Sequence, residues 1–468
     1  MKRKLLAGVL IGLMILSAGS SFAACKNPMA LFAAYKAKRL CSDVFVARRD
    51  AQTSQNEDLA AVKAFPAVID YAGKAVTVSF QGITQRAVYR EGCGCTLVNY
   101  STEDEIRNQP RDVIEPMPRD PQNIPWPMGD LLPKAELPAE VDQAALTEAL
   151  DKAFSEPNPK ALRRTRAVAI VYKGRLIAER YAPGFSKDTP LLGWSMTKSV
   201  TNALVGILVG QGRLSLDDPA PVPEWSRPGD PRGAITLDQL MRMSSGLKFV
   251  EEYTKNSDAT CMLFGVRDTA AYTASQPLET EPDGKWSYSS GTTNLICRIV
   301  RHTFGGTDAQ YFAFPRRALF NRIGMRSAVM EPDASGTFVG SSFMYATARD
   351  WARFGLLYLN DGVWQGTRIL PEGWVEYSRT PTPKAPLGRY GAQFWLNAGD
   401  PTDDTKRPMP QVPKDAFFCM GFEGQSVSII PSRKLVVVRL GLSQAKGSWN
   451  LESFLADLLK AFPEIKKK

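Results

Sequence analysis

Length, composition and charge already exclude several classes of protein. The chain has 468 residues, of which 44% are hydrophobic and 23% charged, which is typical of a globular protein and excludes a mostly disordered or fibrous one. The formal net charge is +10, but six of these charges lie at the two ends, in Lys2–Lys4 and Lys466–Lys468, which leaves about +4 between them. No basic stripe interleaved with aromatic residues is present, so we expect no nucleic-acid binding.

Residues 1–24 have the pattern of a secretory signal peptide. A basic start is followed by a short apolar run, Leu5 to Leu16, and by a small-x-small cleavage site, Ser21 to Ala23. The run is too short for a comfortable transmembrane helix, and we predict no transmembrane segment in the mature protein. We expect an exported protein, periplasmic or secreted. A lipid anchor on Cys25 is the less favoured alternative.

Export changes how the seven cysteines are interpreted. Cys25, Cys41, Cys93 and Cys95 lie in the N-terminal quarter, and in an oxidising compartment they can form two disulfides. The natural pairing joins Cys25 and Cys41 to Cys93 and Cys95, in either order. A metal site is not expected, because the chain has one histidine and Cys-x-Cys alone is a weak signal. The remaining cysteines are predicted to be buried thiols: Cys261, Cys297 and Cys419.

Composition divides the rest of the chain into three predicted parts. Residues 25–100 form a small β-rich region, with a helix over Met29–Leu40 and disulfide bonds. Prolines crowd residues 101–139, which predicts an extended connector because proline continues neither a helix nor a central strand. Residues 140–468 form the main domain.

Strands are predicted at both ends of the main domain, with helices between them. A hairpin is expected over Arg166–Tyr172 and Arg175–Tyr181. Two further strands are expected over Val427–Ile430 and Leu435–Leu440. This order implies a mixed α/β (α+β) fold, in which one antiparallel sheet is built from both ends of the domain and flanked by helices.

The candidate nucleophile is Ser195, in Ser195-Met196-Thr197-Lys198. The only histidine, His302, lies at a predicted helix end, so a Ser-His-Asp triad is not expected. The Ser-x-x-Lys motif opens an apolar helix that is predicted to run to Gly210. Residues i and i+3 share a helix face, which brings the Lys198 amine beside the Ser195 hydroxyl. Burial lowers the pKa of such a lysine and makes it a useful base. Taken alone the motif is weak, because helix caps often produce it.

The residues around this motif make it specific. Four segments follow one another in the order and spacing of the class C-like branch of the serine β-lactamase and penicillin-binding-protein superfamily: Trp194–Ser199, Gly212–Pro219, Ile235–Leu240 and Met243–Leu247. The chain resembles this superfamily over roughly residues 140–465, and most closely its 6-aminohexanoate-dimer hydrolases and family VIII esterases. The resemblance implies a β-lactamase-like fold with a helical subdomain, and a reaction that needs no metal or organic cofactor.

The family's Tyr-x-Asn or Tyr-x-Ser element matches Tyr288-Ser289-Ser290. The resemblance implies that the Tyr288 phenol lies near Lys198 and relays a proton to the leaving group. Ser290 takes the place of the asparagine and is expected to hydrogen-bond Lys198 or the substrate. A polar loop before a helix over Thr293–Arg301 is the structural alternative.

The family's third element, a Lys-Thr-Gly or His-x-Gly strand motif, matches Phe422-Glu423-Gly424. These three residues are expected to bind substrate, with Gly424 keeping the strand open to it. The backbone N–H groups of Ser195 and Gln425 are expected to form the oxyanion hole. Phe422 departs from the pattern, because a phenyl ring neither donates a hydrogen bond nor carries a charge.

These residues predict a serine hydrolase that cleaves small amides or esters through a covalent acyl-Ser195 intermediate. Lys198 is the principal base, assisted by Tyr288. A β-lactamase or D,D-peptidase acting on peptidoglycan-like substrates is one alternative, against which Phe422 argues. A non-catalytic envelope binding protein is the other. The presence of Ser195, Lys198 and Tyr288 argues against it, while Phe422 argues mildly for it.

Overall fold

The computed structural model describes Cys25 and residues 27–133, 136–253, 255–305, 308–403 and 405–464. The predicted signal peptide, residues 1–24, lies outside these residues. Within the described ranges, no helix combines the length and the hydropathy needed to cross a membrane.

The elements are numbered in chain order. The α-helices are α1 Pro28–Phe45, α2 Ala51–Glu57, α3 Glu103–Arg107, α4 Gln143–Phe154, α5 Thr197–Gly210, α6 Leu237–Met241, α7 Asp258–Phe264, α8 Thr269–Ala274, α9 Ser290–His302, α10 Asp308–Pro315, α11 Ala348–Leu359, α12 Trp374–Arg379 and α13 Leu451–Leu459. The strands are β1 Ala67–Asp70, β2 Ala75–Phe80, β3 Ile83–Arg90, β4 Gly94–Leu97, β5 Thr165–Tyr172, β6 Arg175–Tyr181, β7 Leu191–Leu192, β8 Val329–Met330, β9 Met344–Ala346, β10 Val363–Trp364, β11 Thr367–Arg368, β12 Trp395–Leu396, β13 Phe417–Gly421, β14 Gln425–Ile430 and β15 Leu435–Gly441.

The main sheet has six strands in the order β12-β13-β14-β15-β5-β6, and every neighbouring pair is antiparallel. Strand β5 lies between β15 and the edge strand β6 and is buried along its whole length. Successive side chains of a strand point to opposite faces. Val168 and Ile170 accordingly pack with α4 and α13, while Ala167 and Ala169 pack with α11 and α5. The predicted fold class, an antiparallel sheet from both chain ends with helices on its faces, is confirmed.

The predicted hairpin of β5 and β6 is also confirmed, including its turn at Lys173 and Gly174. Both turn residues have positive φ, 49° and 80°, as the tightest hairpin turns require.

The N-terminal region, residues 27–100, packs directly against the rest of the chain. Its four strands form one sheet in the order β1-β2-β3-β4. Helix α1 is longer than predicted: Asn27 caps its start, Pro28 occupies the first turn, and the helix runs beyond Leu40 to Phe45. The core of this region includes Trp194 and Tyr345 from outside it, so α1 lies close to the Ser195 segment.

Two disulfides are present, and their pairing corrects the prediction. Cys41 pairs with Cys95, but Cys25 pairs with Cys261, and Cys93 is a buried free thiol. Helix α1 separates Cys25 from Cys41 by roughly 20 Å along its axis, so Cys25 cannot reach the cysteines beside Cys41. A Cys25 sulfur held in a disulfide is not available for a lipid.

The described part of the proline-rich segment, residues 101–139, contains a short α-helix that was not predicted. Helix α3 ends before the first proline of the segment, Pro110. It is nucleated by a capping box in which Thr102 and Glu105 satisfy each other's backbone N–H groups. Residues 110–116 form neither helix nor strand, as the proline content predicts.

Candidate active site

Ser195 lies in a single 3-10 turn, Trp194–Met196, immediately before α5. The helix thus begins two residues later than predicted, because Trp194 has a positive φ of 49°. From residue 191 to residue 200, Ser195 is the only one that is not fully buried. Its hydroxyl is therefore the group that this segment offers to a substrate.

Lys198 lies one turn along the helix and is 1% exposed. Its Nζ atom donates to Ser195 Oγ at 3.1 Å, to Ser290 Oγ at 2.9 Å and to the carbonyl oxygen of Ser341 at 3.0 Å. Burial lowers the pKa of Lys198 to about 8, although the Glu251 carboxylate acts in the opposite direction. A lysine with that pKa has a substantial neutral fraction near pH 8 and can accept the Ser195 proton.

Glu251 is a site residue that the sequence did not reveal. It accepts hydrogen bonds from the backbone N–H of Ser290 at 2.8 Å and from Ser290 Oγ at 2.5 Å. The Tyr253 hydroxyl donates to the same carboxylate at 2.5 Å and lies 3.1 Å from Ser290 Oγ. Ser290 is fully buried, so it connects Glu251 to Lys198 and does not face a substrate in this conformation. Glu251 lies in a loop without any regular spacing to the Ser-x-x-Lys motif, and its only signal was an acidic pair directly after Phe249 and Val250.

Tyr288 lies on the other side of Lys198, whose Nζ is 4.8 Å from the centre of its ring. Its ring packs against Tyr390 and Trp395, with centroids 5.7 Å and 5.1 Å away. Burial and the nearby Glu251 carboxylate raise the pKa of Tyr288, and a hydrogen bond with Ser195 offsets this only in part. Tyr288 therefore keeps its proton at neutral pH and suits proton donation better than proton abstraction.

The segment Phe422–Gly424 was predicted to lie in a strand. It lies instead in the tight turn between β13 and β14. Glu423 and Gly424 both have positive φ, 62° and 80°, which breaks the extended backbone. The Phe422 side chain is 48% exposed and packs against Trp194 and Tyr253, with ring centroids 5.8 Å and 5.5 Å away. It thus forms an aromatic wall at the edge of the site.

The other two residues of this turn face inward. Glu423 is buried, and its carboxylate accepts hydrogen bonds from Trp194 Nε1 and from Gln444 Nε2. A Cβ on Gly424 would lie 2.6 Å from Nη1 of the buried Arg439. The glycine is therefore required by its backbone conformation and by Arg439, which differs from the predicted role of keeping a strand open.

Gln425 begins β14 beside the Ser195 turn. Its side-chain amide exchanges two hydrogen bonds with the backbone of Gly441, of 2.7 Å and 2.9 Å. A Cβ on Gly421 would lie 2.1 Å from the carbonyl oxygen of Gly193, so the two backbones are in direct contact. The residues proposed to form the oxyanion hole thus lie in adjoining segments: Ser195 in its turn, and Gln425 directly after the Phe422–Gly424 turn.

His302 lies at the opposite end of α9 from Ser290. The helix places the two residues about 18 Å apart along its axis. Because Ser290 contacts Lys198, the imidazole cannot serve as a base for Ser195.

Comparisons with known proteins identify the family and the fold. Residues 150–448 match the family model described as Beta-lactamase. A 6-aminohexanoate-dimer hydrolase of Paenarthrobacter ureafaciens is 26% identical over 301 residues, which cover 59% of this chain and 72% of that protein.

Solved structures give the same fold. A candidate 6-aminohexanoate-dimer hydrolase from Bacillus anthracis aligns with a TM-score of 0.53 at 22% identity, over 80% of this chain and 89% of that one. A family VIII carboxylesterase aligns with a TM-score of 0.53 at 16% identity, over 70% of this chain and 98% of that one. At these identities the structures bear on the fold alone. Because the family model spans more than half of the sequence, the chain belongs to the β-lactamase family.

Proposed function

We propose that this protein is an exported serine hydrolase that cleaves small, uncharged amides or carboxylic esters through an acyl-Ser195 intermediate. The observation that carries the proposal is the 3.1 Å contact between Lys198 Nζ and Ser195 Oγ. The lysine is buried among neutral hydrogen-bond partners, where its neutral form is accessible.

The reaction follows from this geometry. Lys198 takes the Ser195 proton as the serine oxygen attacks the carbonyl carbon, and the N–H groups of Ser195 and Gln425 stabilise the oxyanion. Tyr288 relays the proton to the leaving alcohol or amine. Water, deprotonated in turn by Lys198, then attacks the acyl-serine and releases the carboxylic acid.

The disulfides support the export part of the proposal. Cys41–Cys95 and Cys25–Cys261 each join distant elements, and such bonds persist in oxidising compartments.

The pH dependence of kcat/KM is expected to report the Lys198 pKa. Only the neutral amine accepts a proton, so activity on a neutral ester rises with pH and is half-maximal near pH 8. Glu251→Gln removes a negative charge that raises this pKa, so its acidic limb should move to lower pH. Profiles of kcat/KM from about pH 5 to about pH 10, at constant ionic strength, measure the acidic limb in the wild type and in Glu251→Gln.

Glu252→Gln is the matched control for this experiment, because it makes the same charge change one residue further along the chain. It should leave the limb in place. A Glu251→Gln limb that stays where the wild-type limb lies would remove Glu251 from the electrostatics of Lys198.

The charged and apolar groups around the site favour a substrate with an uncharged acyl group. Phe422 supplies no donor at the position where the family motif carries lysine or histidine, and Tyr253 and Trp194 extend the aromatic surface around it. Glu251 adds a negative charge close to Lys198. A substrate carboxylate would therefore lack a charged partner at the Phe422 position, which disfavours β-lactams and peptidoglycan-like peptides.

Phe422→His is expected to raise activity on carboxylate-bearing amides relative to neutral esters. A charge-assisted hydrogen bond contributes roughly 1.5–3 kcal/mol, which corresponds to about a ten- to hundredfold change in kcat/KM. The measurement compares kcat/KM for one substrate of each kind in both proteins.

Phe422→Leu is the control. It replaces the ring by a smaller apolar side chain without adding a donor, so the preference between carboxylate-bearing amides and neutral esters should be nearly unchanged. A wild type that already favours the carboxylate substrate would contradict this account and would favour a β-lactamase or D,D-peptidase. A ratio that Phe422→His does not move would show that another group binds the carboxylate.

A further inference from the structure

Two residues in left-handed backbone conformations lie beside the two proposed oxyanion donors. Trp194 immediately precedes Ser195 and has a φ of 49°. Glu423 lies two residues before Gln425 and has a φ of 62°. Residues with a Cβ rarely adopt positive φ, and the conformation persists only where surrounding contacts hold it.

These two residues hold each other. Trp194 Nε1 donates to Glu423 Oε2 at 3.1 Å, and both side chains are buried. The other carboxylate oxygen, Oε1, accepts from Gln444 Nε2 at 3.1 Å. The Trp194–Glu423 hydrogen bond therefore ties the turn that carries Ser195 to the turn that carries Gln425.

The N-terminal region supplies the opposing charge. The Arg39 guanidinium, on α1, lies 5.3 Å from the centre of the Trp194 ring and 3.3 Å from Asp58 Oδ1. Gln444 Nε2 also donates to the Asp58 carbonyl oxygen at 3.3 Å. Burial raises the pKa of Glu423, and Arg39 opposes that rise.

The same cluster adjoins the Phe422–Gly424 turn that precedes β14. Arg39 and Asp58 line one small cavity together with Glu423 and Gln425. Arg39 and Gln425 therefore face the same cavity.

We propose that Trp194, Glu423 and Arg39 are positioning residues that fix the distance between the N–H groups of Ser195 and Gln425. The N-terminal region is then a working part of the site, although none of the residues placed in the reaction lies in it. This inference rests on the proposed acyl-serine mechanism.

Loosening these contacts has a specific kinetic consequence. The oxyanion forms only as the carbonyl carbon is attacked. Misplaced donors therefore stabilise the transition state less and leave substrate binding nearly unchanged. The loss appears in kcat rather than in KM. It also depends on the identity of the carbonyl atom, because donors set for oxygen fit the longer carbon–sulfur bond of a thionoester poorly.

The experiment uses Trp194→Phe, which removes the indole N–H but keeps a ring beside Arg39, and Glu423→Gln. A glutamine has one acceptor oxygen, whereas Glu423 accepts from Trp194 on one oxygen and from Gln444 on the other. One of these two donors therefore meets an amide NH2 group. Kinetic constants are measured for a neutral ester and for its thionoester, with active sites counted by fluorophosphonate titration.

We expect each variant to lose about ten- to hundredfold in kcat, with KM changed less than about threefold. The preference for the ester over the thionoester should fall about tenfold. The double variant should lose less than the product of the two single losses, because the Trp194 and Glu423 side chains are in direct contact. Arg86→Gln alters an ion pair with Glu103 elsewhere in the N-terminal region and should change neither value.

The proposal would be overturned, in favour of a purely structural role, by two results together. The preference for the ester over the thionoester would be unchanged, and activity would fall only in proportion to the number of active sites counted by titration. If either variant fails to fold, Arg39→Lys provides the same readout, because it keeps the charge but not the guanidinium plane over Trp194. Failure of the proposed function is distinguishable, since the wild type would then show no acylated Ser195. An acylated wild type with unchanged preferences in the variants would overturn the positioning roles alone.

Discussion

Replacing Lys198 by alanine is expected to lower kcat/KM for a neutral p-nitrophenyl ester by about 10³-fold. A positioned general base contributes roughly 10²- to 10⁴-fold, and the amine is the basic group in contact with Ser195 Oγ. Tyr288 cannot replace it, because the pKa of that phenol is raised by burial. Steady-state rates at about pH 9, where the wild-type amine is mostly neutral, give the full effect.

Small primary amines should partly restore the activity of Lys198→Ala, because the truncated side chain leaves room for an alkylamine beside Ser195. Lys36→Ala is the matched control, since it removes another buried lysine, whose amine donates to the Phe65 carbonyl oxygen at 2.6 Å. That variant should retain its catalytic constants. A Lys198→Ala protein within about tenfold of the wild type would show that another group deprotonates Ser195.

Ser195→Ala is expected to have the largest effect, a loss of about 10⁴-fold or more in kcat, because no covalent intermediate can form without the hydroxyl. The overall structure should be unaffected, since the side chain is not fully buried. Hydrolysis of a neutral ester, corrected for the spontaneous rate, measures the loss.

Ser199→Ala is the control for this variant. It removes a buried hydroxyl one turn further along α5, which donates to the Gln393 carbonyl oxygen at 2.8 Å. It is expected to cost stability but to leave kcat nearly unchanged. Full activity in Ser195→Ala would remove Ser195 from the mechanism.

The parts of the site that the sequence predicted are local in the chain. Ser195 and Lys198 are three residues apart, and helical geometry alone brings their side chains together. Tyr288 and Ser290 required the family resemblance, because nothing in their own spacing relates them to Ser195.

The parts that were missed depend on contacts between distant residues. Glu251, which was not predicted, meets Ser290 across 39 residues, and the unpredicted contact of Glu423 with Trp194 spans 229. Each is an ordinary acidic residue in an irregular segment, so no periodicity distinguishes it. The same reason explains the Cys25–Cys261 bond, which spans 236 residues.

The fold was predictable where periodicity is strong. Strands β5, β6, β14 and β15 agree with their predicted bounds to within a few residues. The start of α5 and the Phe422–Gly424 turn differ from the prediction because Trp194 and Glu423 adopt positive φ. These backbone conformations are held by tertiary contacts, which local propensity does not encode.

The central claim is that Ser195 is the acyl-accepting nucleophile. The most direct test treats the purified protein with a fluorophosphonate, measures its intact mass and maps the modified peptide. We predict one adduct per chain, located on Ser195, with ester hydrolysis lost in proportion to labelling. Ester hydrolysis that persists in fully labelled protein, or an adduct on a residue other than Ser195, would contradict the account.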